Sequence, residues 1–339
     1  MRDRRIAMRS ASRWPCILLA MATPLMLAQS AHSAERADAS ELLMRMNSAF
    51  ANENYDGVFT YFSGDEMASL RVVHKVVDGE QRERLVHLNG APREILRHGD
   101  EVVCIVMPGD DIAVLEDSIP AGPFARAFVR QFDRLSSSYR VEAMGEGRVA
   151  NRSAVRVLVT PLDQFRYGYR LWLDRATALL LRSEMIDTRG QRLEVFQFSN
   201  LIVGDAVSDE ALESEEMSGS MISHLTLKQE ESQAPATAAS TNWRIGWLPP
   251  GFYMAMNDIR TKASAATMSS MMYTDGLATF SLFVEDMPAT GAASMVSQNG
   301  ATVAITKGLK AGGAMYLATL VGEIPVATGK RILDSVSPR

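Results

Sequence analysis

The sequence predicts a mainly β protein of the α+β class: one long, curved antiparallel sheet with helices, followed by a smaller α+β domain. Three observations lead there. Between Tyr55 and Val203 the apolar residues recur with period two, in short runs parted by tight-turn pairs such as Gly64-Asp65, Asp78-Gly79 and Asn89-Gly90. Stretches of helical period are few. Between residues 205 and 242 the composition turns acidic and then small and polar, and apolar periodicity returns at Trp243.

The first residues carry Arg2, Arg4, Arg5, Arg9 and Arg13, then the apolar run Ile17 to Ala28, then Ala31-His32-Ser33-Ala34. A basic start, a short apolar stretch and small residues form the order of a secretory signal peptide, here 1–33, with cleavage expected near Ser33 or Ala34. The apolar run falls short of the ~20 residues that cross a bilayer, and Cys16 precedes it, which is the wrong place for a lipid anchor. A periplasmic location is therefore expected. Cleavage removes five Arg and Asp3, so the formal charge of −5 becomes −9, a balance that disfavours nucleic acid as a partner. Only Cys104 would remain, leaving stability in an oxidising compartment to apolar burial.

Residues 40–50 open on Ser40 and place Leu42, Leu43, Met46 and Phe50 at helical spacing. Strands follow at 55–62, 68–77, 81–88, 93–98 and 101–107. Phe124, Phe128 and Phe132 recur every four residues on one face of an amphipathic helix, predicted to cover the sheet's concave side. Strands resume at 139–144, 154–160, 166–173, 178–187 and 192–203. Residues 40–204 thus make the first domain, 205–242 a mobile linker in which Met221 to Leu227 has room for a short strand, and 243–337 the second domain. The latter carries a hairpin at Tyr273 to Gly276, strands near 278–285, 302–307 and 315–321, and a final helix near 325–336.

Chemistry-bearing patterns are scarce. Cys-x-x-Cys, His-Glu-x-x-His, Gly-x-Ser-x-Gly and Walker-type loops are missing, so the chain is read as a binding protein and not an enzyme, with no cofactor. Gly145-Glu146-Gly147-Arg148-Val149-Ala150 matches a relaxed dinucleotide fingerprint, but a strand instead of a helix follows, and a turn is the better reading. His74, His87 and His98 invite a metal hypothesis. A two-residue hairpin at Asp78-Gly79 sets His74 opposite Glu83 and about 13 Å along the strand from His87, too far for one ion. Cys104 reads as a small buried hydrophobe, and Met254, Met256, Met268, Met271 and Met272 as gap-fillers in a core more than a binding surface. The aromatics Phe59, Tyr61 and Trp172, with Phe124, Phe128 and Phe132, are the expected lining of an apolar cavity able to take acyl chains.

Several segments carry a family resemblance: Asn54 to Tyr61, Ala91 to Arg97, Tyr167 to Asp174, Leu248-Pro249-Pro250-Gly251-Phe252, Tyr273-Thr274-Asp275-Gly276-Leu277-Ala278 and Val321 to Pro325. In these, in their order, and from about Ser40 to Val336, the chain resembles the MucB/RseB family of periplasmic sigma-factor regulators; Thr274 stands where that pattern more often has Ser. The resemblance implies an open β-half-barrel shaped like the periplasmic lipoprotein carriers, with helices in its mouth, and a smaller C-terminal domain. It implies a partner, the periplasmic domain of a membrane anti-sigma factor of the RseA/MucA type, shielded from site-1 proteolysis. It further implies release by lipopolysaccharide or a related lipid. A homodimer is compatible with it. A lipid or lipoprotein carrier without a regulatory partner is the competing reading, and an envelope-lipid hydrolase a third, for which the sequence offers no nucleophile and base.

Overall fold

A computed structural model describes residues 39–99, 101–106, 137–214, 221–226, 243–261, 267–286 and 294–339. Helix α1 spans 39–52, so Ser40 lies within its first turn instead of capping it. The Asn52 side chain donates to Ser48 O (2.8 Å) as the helix ends. Strands then follow as β1 (Tyr55–Ser63), β2 (Glu66–Val77), β3 (Glu80–His87), β4 (Arg93–His98), β5 (Glu101–Val106), β6 (Tyr139–Val149), β7 (Arg152–Pro161), β8 (Gly168–Asp174), β9 (Leu180–Ile186), β10 (Arg192–Val203) and β11 (Met221–Thr226). They form one eleven-stranded antiparallel sheet in the order β11-β5-β4-β3-β2-β1-β10-β9-β8-β7-β6. Its ends, β11 and β6, do not pair, so the sheet is open. Two meanders meet at β1 and β10, which joins the start of the domain to its end.

Local chemistry explains the register. Asp78 and Gly79 both have positive φ, 55° and 84°, the type I′ geometry whose twist suits a two-residue hairpin. His74 accordingly pairs with Glu83 and His87 with Leu70, as expected from the turn. The glycine pair Gly145 and Gly147 is not a turn: both lie inside β6, whose register shifts between Ala143 and Glu146, and the turn itself is made by Ala150 and Asn151 at positive φ. A β-bulge absorbs the extra residue where a turn was expected. Strand β7, not a helix, follows, so the dinucleotide pattern has no structural counterpart here.

The first part of the segment expected as a linker is built into the fold. Val207 is buried, Glu210–Leu212 form a 3-10 turn, and β11 pairs with β5 from Met221↔Val106 to Thr226↔Glu101. Arg84 and Glu94, both buried, form an ion pair beneath this segment, with Ala211 O and the Ser214 hydroxyl completing their hydrogen bonds. The acidic composition here serves pairing and not a solvated linker: Asp209 takes up Lys75, which also reaches Val207 O.

The second domain is a six-stranded antiparallel sheet in the order β13-β14-β15-β18-β17-β16. Its strands are β13 (Tyr253–Thr261), β14 (Thr267–Thr274), β15 (Thr279–Asp286), β16 (Met295–Asn299), β17 (Thr302–Ala311) and β18 (Ala314–Gly322). Helix α2 (Val326–Asp334) packs Ile332 and Leu333 on one face of it, against a core that holds Phe280, Leu282, Val303, Ile305 and Leu320. Short strands β12 (Trp243–Ile245) and β19 (Val336–Pro338) pair beside it and tie the entry of the domain to its end. Met271 is buried in this core, whereas Met254 is exposed and Met256, Met268 and Met272 are half-buried.

Candidate functional site: a concave apolar face and the junction of the two domains

Strand alternation divides the large sheet into two faces. One face carries Phe59, Phe196, Phe198, Leu171, Leu173, Val157 and Val159, and α1 lays Leu43, Met46 and Phe50 across it. The rings interlock, with Phe59 4.9 Å from Phe196 and Phe196 5.2 Å from Phe198 between centroids. Burying each such side chain stabilises by about 1.5–3 kcal/mol relative to leaving it in water.

Of the six residues expected in a lipid cavity, Phe59 and Tyr61 share this face, since they pair with Phe198 and Phe196 across the β1/β10 seam. Phe59 is packed within the core, and Tyr61 is partly buried with its hydroxyl donating to Glu194 Oε2 (2.7 Å). Trp172 is partly buried and packs against the same core cluster, but it does not share their face of the sheet. It pairs with Arg156 and Arg182, and Arg182 in turn with Gln197 opposite Thr60, so it occupies the other face. The physical reason is period two: Leu171 and Leu173 point to the core and the residue between them points away. On that outer face Trp172 lies under the Arg182 guanidinium (4.8 Å) and borders a cleft of 550 Å³ with Arg156, Leu158, Pro161, Arg170 and Ile186. Phe124, Phe128 and Phe132 lie outside the described residues.

His74 is a core residue: it is buried, its Nδ1 lies 2.8 Å from Glu53 O, and it stacks on Tyr55 at 4.9 Å. Burial holds its pKa below the usual histidine value. His87 is half-buried and His98 is exposed beside Glu80. No group of three or more His, Cys, Asp or Glu side chains converges on a metal site among the described residues. Cys104 is buried with Ile95, Val102 and Leu85.

The densest polar chemistry sits where the second domain meets the concave face. Arg166, between β7 and β8, is fully buried and donates to the equally buried Asp275 in the turn between β14 and β15. Its other nitrogens reach Asp163 in a two-point contact (3.1 and 3.0 Å) and Pro250 O (2.5 Å). Its guanidinium stacks over Tyr139 and Phe252 at 5.4 and 5.2 Å. Asp275 is equally satisfied: Oδ1 accepts the backbone N–H groups of Leu277 (2.9 Å) and Ala278 (2.8 Å), and Oδ2 accepts Tyr139 Oη–H (3.0 Å) as well as Arg166. A buried pair survives only when its remaining donors and acceptors are met in this way.

Gly251 has φ +87°, and a Cβ there would come within 2.5 Å of Ser138 Oγ. Only glycine lets the Pro249-Pro250-Gly251-Phe252 turn approach the first domain so closely. Further along the junction Tyr167 Oη–H donates to Ile324 O (3.2 Å) and Ala301 N–H to Glu194 Oε1 (3.2 Å). Leu277 and Ala301, from the second domain, are buried in the first domain's core cluster. Phe165, Trp247 and Arg331 stack at the rim, with the Arg331 guanidinium 3.8 Å from the Trp247 ring centroid. Burial, reinforced by neighbouring carboxylates, holds the Tyr139 and Tyr169 hydroxyls well above the usual tyrosine pKa, so they stay protonated.

Segments far apart in sequence thus converge on one junction: Tyr167-Gly168-Tyr169, Leu248 to Phe252, Tyr273 to Ala278 and Val321 to Pro325. Arg166, Asp163, Tyr139, Asp275, Glu194 and Glu323 were not expected as site residues. Asp275 was legible only as a turn former, and nothing in one sequence links it to an arginine 109 residues away.

The fold and its junction define a two-domain β protein in which an open sheet with an apolar concave face is fixed to a smaller α+β module. The chain belongs to the MucB/RseB family: the model of the MucB/RseB N-terminal domain matches residues 38–216 and that of the C-terminal domain residues 237–337. It is 35% identical to the sigma factor AlgU regulatory protein MucB of Pseudomonas aeruginosa over 90% of this chain and 92% of that protein. To the sigma-E factor regulatory protein RseB of Haemophilus influenzae it is 29% identical, over 96% and 99% of the two chains. A crystal structure of MucB in complex with MucA(peri) superposes with TM-score 0.72 at 32% identity, covering 89% of this chain and 99% of that one.

Proposed function

We propose that this chain is a periplasmic regulator that binds the periplasmic part of a membrane anti-sigma factor of the MucA/RseA type, shields it from site-1 proteolysis, and so keeps the envelope-stress sigma factor sequestered. What carries the reading is the likeness, over nearly the whole of both chains, to a MucB that was crystallised with MucA(peri). The junction supports it physically. Two domains locked by a buried ion pair present one composite surface, and a partner segment bound by both loses less ordering entropy than one bound to two loosely tethered modules. Among the described residues no helix is long and apolar enough to cross a membrane, which suits a role beside the membrane segment of another protein.

Lipid, lipopolysaccharide or a related amphiphile, acts as the releasing ligand. It must bind the partner-free state better than the partner-bound one, and reciprocity then requires the partner to weaken lipid binding by the same factor. The apolar face around Phe59 and the segment carrying Phe124, Phe128 and Phe132 are where we place it. Titrating the mature chain with the anti-sigma periplasmic segment, with and without lipid, tests both statements: one-to-one binding weakened by lipid is expected, and binding indifferent to lipid would remove the switch. Recovery of lipidated cargo instead of the anti-sigma segment from periplasm would make the chain a carrier.

A further inference from the structure

Strand β16 is the outermost of the second sheet, paired with β17 on one side and, among the described residues, with no strand on the other. All five of its residues are exposed, Met295 and Val296 at 57% and 44%. Its sequence, Met-Val-Ser-Gln-Asn, holds no charge and no proline, and its register with β17 is unbroken from Met295↔Thr306 to Asn299↔Thr302. Sheet edges are ordinarily guarded by charged residues, proline or a bulge, because a bare row of backbone groups recruits another strand. The opposite edge of the same sheet is guarded in this way: β13 carries Asp258 and Arg260 and shifts register between Met254 and Met256. At the end of the large sheet, β6 carries Arg140, Glu142, Glu146 and Arg148 and a register shift as well.

Backbone direction follows from the turn. Asn299 and Thr302 close the Gly300-Ala301 turn, and the Met295 N–H is directed toward β17, where it donates to Thr306 Oγ1 (3.0 Å). Alternation then points the N–H and C=O groups of Val296 and Gln298 out from the sheet edge. At its Asn299 end the edge runs up to the first domain: a Cβ on Gly300 would lie 3.0 Å from Gly64 N in the β1–β2 hairpin. On that hairpin Phe62 and Met67 are cross-strand partners, 43% and 54% exposed.

We propose that β16 is a docking edge, to which an extended, weakly charged peptide segment of the partner protein adds as a further strand. Main-chain hydrogen bonds to Val296 and Gln298 supply the attraction, and the uncharged surroundings of Met295 and Val296 select a segment with apolar side chains at alternate positions. Beyond Asn299 the same segment reaches the Phe62–Met67 pair, so that both domains hold it. A second copy of the chain fits the edge less well. Pairing β16 with its own copy joins five residues, far short of the roughly 20–30 a side in a stable interface. The β1–β2 hairpin at one end also obstructs a globular copy where a thin segment passes. The inference rests on the function proposed above in taking the segment from the anti-sigma factor's periplasmic part.

The test is hydrogen exchange of residues 34–339, alone and with the purified periplasmic segment of a MucA-type anti-sigma factor. With the segment at about a hundred times its dissociation constant, exchange at the Val296 and Gln298 amides should slow about a hundredfold, while the amides of β13 keep their rates. Gln298→Pro, which removes one outward N–H and no bond to β17, should weaken binding about tenfold and leave the unfolding midpoint unchanged. Val296→Lys, which guards the edge with a charge, should do the same, and it decides the matter if Gln298→Pro does not fold. Saturable binding that leaves both amides exchanging at their free rates, or that neither variant weakens, would overturn the docking edge and spare the function proposed above. Absence of any binding would overturn both. Protection that needs no segment and rises with the chain's own concentration would give the edge to a second copy and overturn the proposal.

Discussion

Replacing Asp275 by alanine removes the carboxylate on which the junction turns. Arg166 has no exposed surface in its side chain, and neither has Asp275. The substitution leaves a buried guanidinium with Asp163 and Pro250 O as remaining acceptors and strips acceptors from Tyr139 Oη–H and from the Leu277 and Ala278 N–H groups. Breaking a buried pair by deleting one member costs about 3–5 kcal/mol, mostly because the surviving charge stays buried. The lost backbone contacts fall within that figure instead of adding to it, because they form one network. Urea unfolding read by the fluorescence of Trp243 and Trp247 is the assay. With a slope of about 1–3 kcal/mol per molar, the midpoint of the second-domain transition should drop by 1 M or more. Arg166→Met should cost about as much, and Arg166→Met with Asp275→Leu no more than either alone, since an apolar pair of similar volume leaves no charge stranded. A cost for Asp275→Ala below about 1 kcal/mol, or a double variant whose cost is the sum of the two, would refute the reasoning.

Leu171→Ala, in the core of the concave face, should destabilise by about 2–5 kcal/mol in chemical unfolding. Gly251→Ala should cost about 1–3 kcal/mol from its left-handed φ and its approach to Ser138, read as a lower melting temperature. His74 is held neutral by burial, so its contribution is present above its unfolded pKa of about 6.5 and is lost as pH falls below it; His74→Gln should flatten that acid limb of a stability profile. Phe128→Asp should abolish the lipid response in a folded protein, whereas Trp172→Ala, on the other face, should leave lipid affinity within a few-fold of wild type; the reverse pattern would move the lipid site to the outer cleft.

The strands of the large sheet were legible because each is amphipathic and each boundary carries a turn former; Asp78-Gly79 even set the His74↔Glu83 register. What escaped was of three kinds. Acidic residues at 205–214 looked like solvated linker, yet Asp209 and its neighbours are partners of Lys75, Arg84 and Glu94, and pairing of that sort has no local pattern. The Gly145–Gly147 spacing looked like a turn because bulges and turns ask the same freedom of glycine. Trp172 shares aromatic character with Phe59 and Tyr61, but its position between Leu171 and Leu173 assigns it to the opposite face. The junction was invisible as a site, for Arg166–Asp275 and Glu194–Ala301 are contacts across more than a hundred residues. The resemblance segments marked their neighbourhood without saying why.

Isothermal titration of residues 34–339 with the purified periplasmic segment of the MucA-type anti-sigma factor from the same organism tests the proposed function most directly. A saturable one-to-one complex is predicted, weakened in Asp275→Ala, where the composite surface is broken. Heats no larger than dilution, with both proteins folded, would contradict it.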